Sequence, residues 1–409
     1  MSDTTAAGPL TGLRVIEISS FVASPLGGMT LAQLGADVIR IDPVGGAPDV
    51  RRWPLAESGT SLYWTGLNKG KRSAVVDLRS PAGQEAIQRL VTAPGAGGGI
   101  LLTNAAGRGF MSYSTLAALR PDMIVVELTG RHDGSPAVDY TVNAEIGFPL
   151  VTGPPEVAGA INHVLPAWDV ACGLYAALAI VAAERARRLT GSGSHVTAAL
   201  SDVALATAGN LGLLAEAELG GVRERIGNHL FGGFAHDFAT ADARRVMVVA
   251  LTTRHFRDLV ELCGVGAAVD AVESALKADF STDGGRYEHR DVLLGLLRPW
   301  FAARGLDQVF AGLRGTSVLW SVYGTFADAA AAATTNPMMS VLDQPGVGPY
   351  LAPGSPLAFA GQDRAAAPAP SLGAHTEEVL RSVAGYAESE IAQLVAAGAV
   401  ATAAPGGSK

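Results

Sequence analysis

The chain has 409 residues, a net charge of −8, and 48% hydrophobic against 17% charged residues, a balance typical of a globular α/β or α+β enzyme. The negative charge disfavours nucleic acid and anionic membrane surfaces as partners, because both attract a positive field. The length favours two domains, or one large domain that carries an inserted one.

The two cysteines, Cys172 and Cys263, lie far apart in the sequence, so neither a disulfide framework nor a CxxC metal site is expected. This usage fits a reducing cytoplasm, which is the localisation we expect. The N-terminal residues show no leader pattern, and the apolar run 170–183 is shorter than the roughly 20 residues that span a bilayer. We therefore expect neither export nor membrane insertion.

The N-terminal segment predicts a strand, a helix and a second strand. RVIEI (14–18) and DVIRI (37–41) are β-branched runs, Ser24 and Pro25 are typical of a helix start, and Gly35 is typical of a helix end. The same rhythm continues with a helix opened by Ser80-Pro81 and with strands at 73–78, 99–104 and 123–128. This alternation predicts a Rossmann-like α/β domain with a parallel sheet.

Two further segments shape the domain prediction. The loop after the first strand, SSFVAS (19–24), lacks GxGxxG, which disfavours a nicotinamide enzyme. Residues 169–189 are apolar nearly all round and end in basic residues before Gly191, which predicts a long buried helix at the centre of the fold. Residues 225–335 change character and are predicted to form a smaller domain.

Four segments resemble the family III CoA transferases, the CaiB/BaiF type, which also include the α-methylacyl-CoA racemases. In family order they are residues 9–43, 67–83, 139–205 and 354–400. The resemblance implies a large Rossmann-like domain built from residues 1–215 and from a returning C-terminal segment, 336–409, with a smaller α+β domain at 225–335. It also implies an interlocked homodimer that acts on an acyl-CoA.

The resemblance assigns the catalytic nucleophile to Asp169, directly ahead of the long helix. A carboxylate can attack a thioester carbonyl to form a mixed anhydride, and the released thiolate can then form an enzyme–CoA thioester. An aspartate with an ordinary pKa of about 3.9 needs no partner base at neutral pH. From the residues alone, Asp169 could instead be only a helix cap.

The resemblance also implies a set of CoA contacts, and neither a metal nor a cofactor beyond the CoA moiety is expected. An acidic protein must hold CoA phosphates with local donors, although a Lys-Arg turn is more often a solvated surface. Arg108 is a candidate to replace a displaced basic residue of the family motif. The implied contacts are Val22, Ala23, Arg40, Leu67, Lys71, Asn104, Arg108 and Arg131.

The segment before Asp169 departs from the family pattern, so we expect it to govern substrate choice. Asn162, His163 and Trp168 could hold a second carboxylate or exclude water, although His163 could equally be a satisfied loop histidine. Gly232 and Gly233 match a family loop that covers the active site, or they form only a turn.

Three activities are compatible with this resemblance. The pattern NHVLPAWDVACG is most similar to 2-methylfumaryl-CoA isomerases, which move CoA between carbons 1 and 4 of mesaconate in the 3-hydroxypropionate carbon-fixation cycle. The alternatives are an intermolecular CoA transferase and an α-methylacyl-CoA racemase. The racemase is disfavoured because its histidine base is replaced by Val138, and His132 is out of register.

Overall fold

The computed structural model describes residues 8–105 and 109–403, which group into two compact units. The larger unit contains residues up to 146, residues 163–215 and residues from 332 onward, and the smaller unit contains 147–162 and 216–331. Residues 147–162 were expected in the larger unit. They group with the smaller one because Arg225 donates hydrogen bonds to the carbonyls of Pro149, Leu150, Val157 and Gly159.

The secondary structure alternates through the first half of the chain. Up to residue 146 the elements are β1 (Arg14–Ile18), α1 (Ala23–Gln33), β2 (Asp37–Asp42), a 3-10 helix (Pro48–Arg51), α2 (Leu62–Leu67), β3 (Arg72–Val76), α3 (Pro81–Thr92), β4 (Ile100–Thr103), a 3-10 helix (Gly109–Met111), α4 (Tyr113–Leu119), β5 (Ile124–Thr129) and α5 (Asp139–Glu145). Next come α6 (Phe148–Val151), α7 (Ala167–Thr190), β6 (Ser194–Ala199), α8 (Leu200–Asn210) and α9 (Leu213–Glu218).

The second half contains most of the smaller unit and then returns to the larger one. Its elements are β7 (Phe234–Ala239), β8 (Arg245–Ala250), α10 (Thr253–Cys263), α11 (Gly266–Leu276), α12 (Asp283–Glu288), α13 (Arg290–Ala302), α14 (Leu306–Leu313), β9 (Leu319–Val322), α15 (Phe326–Ala333), β10 (Met339–Gln344), β11 (Gly348–Pro353), α16 (Thr376–Ser382), α17 (Glu388–Ala396) and β12 (Val400–Ala401).

A seven-stranded sheet organises the larger unit, in the order β12-β3-β2-β1-β4-β5-β6. Strands β1 to β6 pair in parallel, with Ile16 opposite Ile39 and Leu101, while β12 adds to β3 in the antiparallel sense. The order 3-2-1-4-5-6 is that of a Rossmann fold, which confirms the predicted fold class. Its strand order reverses between β1 and β4, where such sheets bind ligands beyond the strand ends.

The helix starts were predicted with mixed success. Ser80 caps α3 as expected, because its hydroxyl accepts a hydrogen bond from the N–H of Gly83 at 3.0 Å. The prediction for α1 was wrong, since this helix begins at Ala23 and the hydroxyl of Ser24 is buried without a hydrogen bond. The first helical hydrogen bond instead runs from the N–H of Leu26 to the carbonyl of Val22.

Helix α7 is the longest helix of the described residues, with 24 residues. It packs closely on α1, where a Cβ added to Gly173 would lie 2.5 Å from the carbonyl oxygen of Ala23. The prediction that this helix is buried holds for one side of it only, because Leu174 and Leu178 are 51% and 60% exposed. By length and composition alone α7 could cross a bilayer, although the core helix of a soluble protein passes the same test.

The smaller unit has its own core. Strands β7, β8 and β9 form an antiparallel sheet, and α13 packs on β7. Phe238 stacks on Phe301 with ring centroids 4.1 Å apart, and both are fully buried with Leu297. The smaller α+β unit therefore has an aromatic core built from its own residues.

The contact between α1 and α7 leads to a stability prediction. Gly173→Ala would place a methyl group against the Ala23 carbonyl, so we expect a loss of about 1–3 kcal/mol in the free energy of unfolding. The matched control is Gly209→Ala in α8, where the added carbon lies 3.6 Å from Leu214 and helix propensity favours alanine. Urea unfolding followed by circular dichroism measures both variants, and equal stability of the two would contradict the prediction.

Candidate active site

Asp169 lies in the first turn of α7, and a second carboxylate caps that helix. The backbone N–H groups of Trp168 and Asp169 donate to Oδ2 of Asp139, at 2.8 and 3.2 Å. The capping role therefore belongs to Asp139, which argues against Asp169 being only a cap. Within residues 8–105 and 109–403, the Asp169 carboxylate accepts no hydrogen bond, so both of its oxygens are available to an electrophile.

The surroundings of Asp169 change its acidity. Burial raises its pKa to about 6, the negative charge of Asp139 adds to this rise, and the positive charge of Arg52 opposes it. A carboxylate with this pKa is still mostly ionised at pH 7 but is poorly solvated. Such a group is a stronger nucleophile than a fully hydrated aspartate.

His163 and Trp168 both form hydrogen bonds with side chains of α5. His163 Nε2 lies 2.8 Å from Oδ1 of Asp139, and the ring of Tyr140 meets the His163 ring edge-on at 6.1 Å. Trp168 is buried, and its indole N–H donates to Oδ1 of Asn143 at 3.1 Å. Trp168 therefore anchors α7, and its expected role in holding a carboxylate or excluding water stays a prediction.

The other predicted pocket residues belong to the smaller unit. Asn162 is exposed there. Gly232 has a φ of +73° and Gly233 donates to the carbonyl of Leu230 at 3.4 Å, so the pair forms a tight turn ahead of β7. A role in covering Asp169 stays a prediction.

The predicted CoA contacts Arg40 and Lys71 are buried in an ion network. Arg40 is 0% exposed and donates to Asp42, to Asp49, to Asn68 and to the carbonyl of Ser19. With its N–H groups directed to these internal partners, the guanidinium offers no surface donor to a phosphate. Direct contact between Arg40 and CoA stays a prediction.

Lys71 is also paired internally, and its contact with CoA stays a prediction. Its ammonium donates to Glu17, to Asn68 and to the carbonyl of Pro25, at 2.8–2.9 Å, so all three of its protons are used. Burial lowers its pKa to about 8, against the raising effect of Glu17. Arg40 and Lys71 bind the carbonyls of Ser19 and Pro25, and so hold the loop after β1 and the start of α1.

Asn104 also holds that loop. Its amide accepts from the N–H of Ser20 at 3.1 Å and donates to the carbonyl of Ser20 at 2.9 Å. Asn104 follows β4 and Ser20 follows β1. This pair of hydrogen bonds therefore links the ends of the two strands between which the strand order reverses. The side chain positions the loop, and direct contact with CoA stays a prediction.

The remaining predicted contacts are dispersed. Val22 and Ala23 are buried at the start of α1, and Leu67 is the partly buried last residue of α2. Arg131 donates to the carbonyl of Pro136 and pairs with Glu145, so it is committed locally. Arg108 lies outside the described residues.

Sequence reasoning missed Arg52, a basic group beside Asp169. Its side chain is exposed, and its guanidinium carbon lies 5.7 Å from the ring centre of Phe21 and 4.9 Å from that of Tyr63. In the sequence, RRWP reads as a solvated loop. The feature that marks Arg52 is its contact with two aromatic rings. This contact leaves no local sequence signal, because Phe21 and Tyr63 are separated from Arg52 along the chain.

Comparison with known proteins defines the class of the chain. A sequence profile of CoA-transferase family III matches residues 10–376. A 2-methylfumaryl-CoA isomerase of Chloroflexus aurantiacus is 48% identical over 401 residues, covering 96% of this chain and 98% of the relative. A succinate–glutarate CoA-transferase of Agrobacterium fabrum is 32% identical, covering 64% and 68%.

Solved structures agree with the fold. A CaiB/BaiF family protein from Brucella suis has a TM-score of 0.73 at 26% identity, covering 91% of this chain and 98% of its own. A Mycobacterium tuberculosis protein has a TM-score of 0.74 at 23% identity, covering 91% and 99%. The chain belongs to CoA-transferase family III and is an enzyme.

The raised pKa of Asp169 predicts a pH-dependent stability change. Raising a carboxyl pKa from 3.8 to about 6 costs at most about 3 kcal/mol once the group is ionised in the folded state. This cost is present in full above pH 6 and disappears below about pH 4, because the folded protein then holds the proton without penalty. We therefore expect Asp169→Asn to stabilise the protein at pH 7.5 and to lose this advantage near pH 4.

Urea unfolding at several pH values measures this difference. The control variant is Asp343→Asn, which removes an exposed carboxylate on β10 and should leave stability nearly unchanged at every pH. An Asp169→Asn protein that is less stable than the parent at pH 7.5 would contradict the prediction.

Proposed function

We propose that this enzyme moves CoA within one molecule, converting 2-methylfumaryl-CoA (mesaconyl-C1-CoA) to 3-methylfumaryl-CoA (mesaconyl-C4-CoA). The observation that carries the proposal is the 48% identity to a 2-methylfumaryl-CoA isomerase over nearly the full length of both chains. The accessible, poorly solvated carboxylate of Asp169 supplies the chemistry. We assign the reaction to the 3-hydroxypropionate carbon-fixation cycle and the enzyme to the cytoplasm.

The first half of the reaction loads CoA onto the enzyme. An oxygen of Asp169 attacks the carbon-1 carbonyl of the thioester, the carbon–sulfur bond breaks, and CoA leaves as a thiolate. The thiolate then attacks the aspartyl carbonyl of the resulting mixed anhydride. The products are an aspartyl–CoA thioester and mesaconate with a free carbon-1 carboxylate.

The second half reverses these steps at the other end of the diacid. The carbon-4 carboxylate attacks the aspartyl thioester and releases the thiolate, which then attacks the carbon-4 carbonyl of the new anhydride. Asp169 is regenerated as a carboxylate. No net proton is exchanged, so a site without a general base beside Asp169 is sufficient.

The main alternative is transfer between two molecules. Relatives named for such reactions include the succinyl-CoA:glutarate CoA-transferase of Homo sapiens, which is 24% identical over 98% of this chain and 91% of the relative. That reaction requires the donor acid to leave and a second acid to enter. A racemase would require a second base, and Val138 occupies the position at which the racemases carry their histidine.

We further propose a homodimer as the working form. The exposed apolar side chains Leu174, Tyr175 and Leu178 lie along one side of α7, and a surface of this kind is costly to leave in water. A second subunit of the same fold is the partner that the family relationship favours. The CoA moiety of the substrate is the only cofactor we propose.

A label-exchange experiment separates intramolecular from intermolecular transfer. The pure enzyme is incubated with mesaconyl-C1-CoA and ¹³C-labelled free mesaconate, and the C4 thioester is followed by chromatography and mass spectrometry. We expect complete isomerisation without label in the thioester, because the diacid stays bound between the two halves. Rapid incorporation of label would show that the free acid exchanges.

Removal of the nucleophile gives a second measurement. Asp169→Asn should abolish isomerisation, since an amide neither attacks the thioester nor forms an aspartyl thioester. Hydroxylamine should convert Asp169 of the parent protein to a hydroxamate only after incubation with substrate. Turnover by the variant at the parental rate would remove Asp169 from the mechanism.

Asp139 should control the pH range of CoA capture. Asp139→Asn keeps an oxygen that can accept hydrogen bonds from the start of α7 but removes the negative charge that raises the pKa of Asp169. The rate of aspartyl–CoA formation in the parent should fall as the pH drops through about 6. In the variant this fall should move to lower pH, whereas the control Asp343→Asn should leave it in place. An unmoved profile in Asp139→Asn would contradict the electrostatic argument.

A further inference from the structure

The guanidinium of Arg52 is a cation with unused donors. It forms no hydrogen bond or ion pair with any residue in 8–105 or 109–403, although the aromatic faces of Phe21 and Tyr63 hold it by cation–π contacts. The buried basic residues Arg40 and Lys71 differ, since they donate to internal partners. An exposed guanidinium between two rings presents a rigid fork to an anion.

The backbone of Arg52 is fixed on both sides. Its N–H donates to the carbonyl of Asp49 at 3.1 Å, and its carbonyl accepts from the hydroxyl of Ser61 at 2.5 Å. Asp49 is itself bound by Arg40 at 3.1 Å. The buried ion network thus fixes the position of Arg52, which is a requirement for precise binding of a small anion.

Phe21, one of the two rings, adopts an unusual backbone conformation. Its φ is +67°, which a non-glycine residue adopts only at a cost. The N–H of Phe21 donates to Oδ2 of Asp49 at 3.1 Å, so Asp49 holds this strained turn through its carboxylate and the backbone of Arg52 through its carbonyl. Strain of this kind is retained where the surrounding structure imposes it, as it often is at binding sites.

A series of contacts through Phe21, α1 and α7 connects Arg52 with Asp169. Phe21 precedes α1 by two residues, and the carbonyl of Ala23 at the start of α1 packs against Gly173 of α7. Asp169 lies one helical turn before Gly173. The positive charge of Arg52 acts on the carboxyl group of Asp169, and no ion pair within 4.0 Å joins the two side chains.

We propose that Arg52 binds the free carboxylate of a dicarboxylic acyl-CoA while the thioester carbonyl of the same acyl group lies at Asp169. The inference rests on the proposed function and adds a residue that distinguishes diacids from monoacids. When CoA moves to Asp169, both carboxylates of mesaconate are free, and Arg52 retains whichever one is remote from the reacting carbon. Arginine suits this task because its fork binds a carboxylate through two parallel hydrogen bonds.

A phosphate of CoA is a less suitable partner for Arg52. The pantetheine arm separates the thioester sulfur from the pyrophosphate, so a cation beside Asp169 cannot reach the phosphates while the thioester is at the nucleophile. The acyl group is the part of the substrate that lies within reach. An anion-binding residue at this position therefore acts on the acid and not on the nucleotide.

The test compares two thioesters that differ at one end. Mesaconyl-C1-CoA carries a carboxylate where tiglyl-CoA carries a methyl group, and both can load CoA onto Asp169. Formation of the aspartyl–CoA thioester is measured by rapid quenching and mass spectrometry of the intact protein. The parent enzyme should prefer mesaconyl-C1-CoA, and Arg52→Met should reduce this preference about 10- to 100-fold.

Two control variants make the result specific. Arg51→Met removes an exposed charge one residue away and should leave the preference unchanged. Arg52→Lys keeps the charge without the fork and should restore part of the preference. A general structural defect would lower both rates together, and an unchanged ratio in Arg52→Met would overturn the proposal.

The proposed function can fail separately. If the parent enzyme does not isomerise mesaconyl-C1-CoA, the same ratio is measured with succinyl-CoA and butyryl-CoA, which also differ by one carboxylate. Loss of the diacid preference in Arg52→Met with that pair would support the role of Arg52 in another CoA transferase reaction. Equal preference in parent and variant with both pairs would refute it.

Discussion

The carboxylate of Asp139 determines much of the active site. One of its oxygens receives the first N–H groups of α7, and the other bonds to His163. A single buried charge thus fixes the start of the longest described helix, satisfies donors that would otherwise be orphaned, and opposes ionisation of Asp169. If Asp169 capped its own helix, its oxygens would be occupied and unreactive.

A second charged cluster holds the loop after β1 and the segment that precedes Arg52. Glu17, Asp42 and Asp49 surround Arg40 and Lys71, and together they link β1, β2 and the 3-10 helix that precedes Arg52. Buried ion pairs contribute little net stability once desolvation is counted. Here they give geometric precision, because Glu17 also accepts from the hydroxyl of Ser19 and Asp49 also accepts from the N–H of Phe21, which fixes the loop after β1.

The sequence predicted the parallel sheet more successfully than the surroundings of the basic residues. β-branched runs separated by helix signals identify β1 to β5, since burial on both faces leaves a local pattern. Arg40 and Lys71 carry no such signal, because an arginine that binds phosphate and one that is paired internally look the same in a sequence. Asp49 and Asn68, which occupy their donors, are distant along the chain.

The short strand β12 has a consequence for synthesis of the chain. It pairs with β3 through Val400 and Val76, and Thr376 accepts from the N–H of Val75 beside it. The larger sheet therefore receives this strand only after residues 400 and 401 have left the ribosome. Until then the edge of β3 is unpaired, although the residues of the smaller unit have already been made, so a nascent chain exposes an unpaired strand edge while residues 77–399 are synthesised.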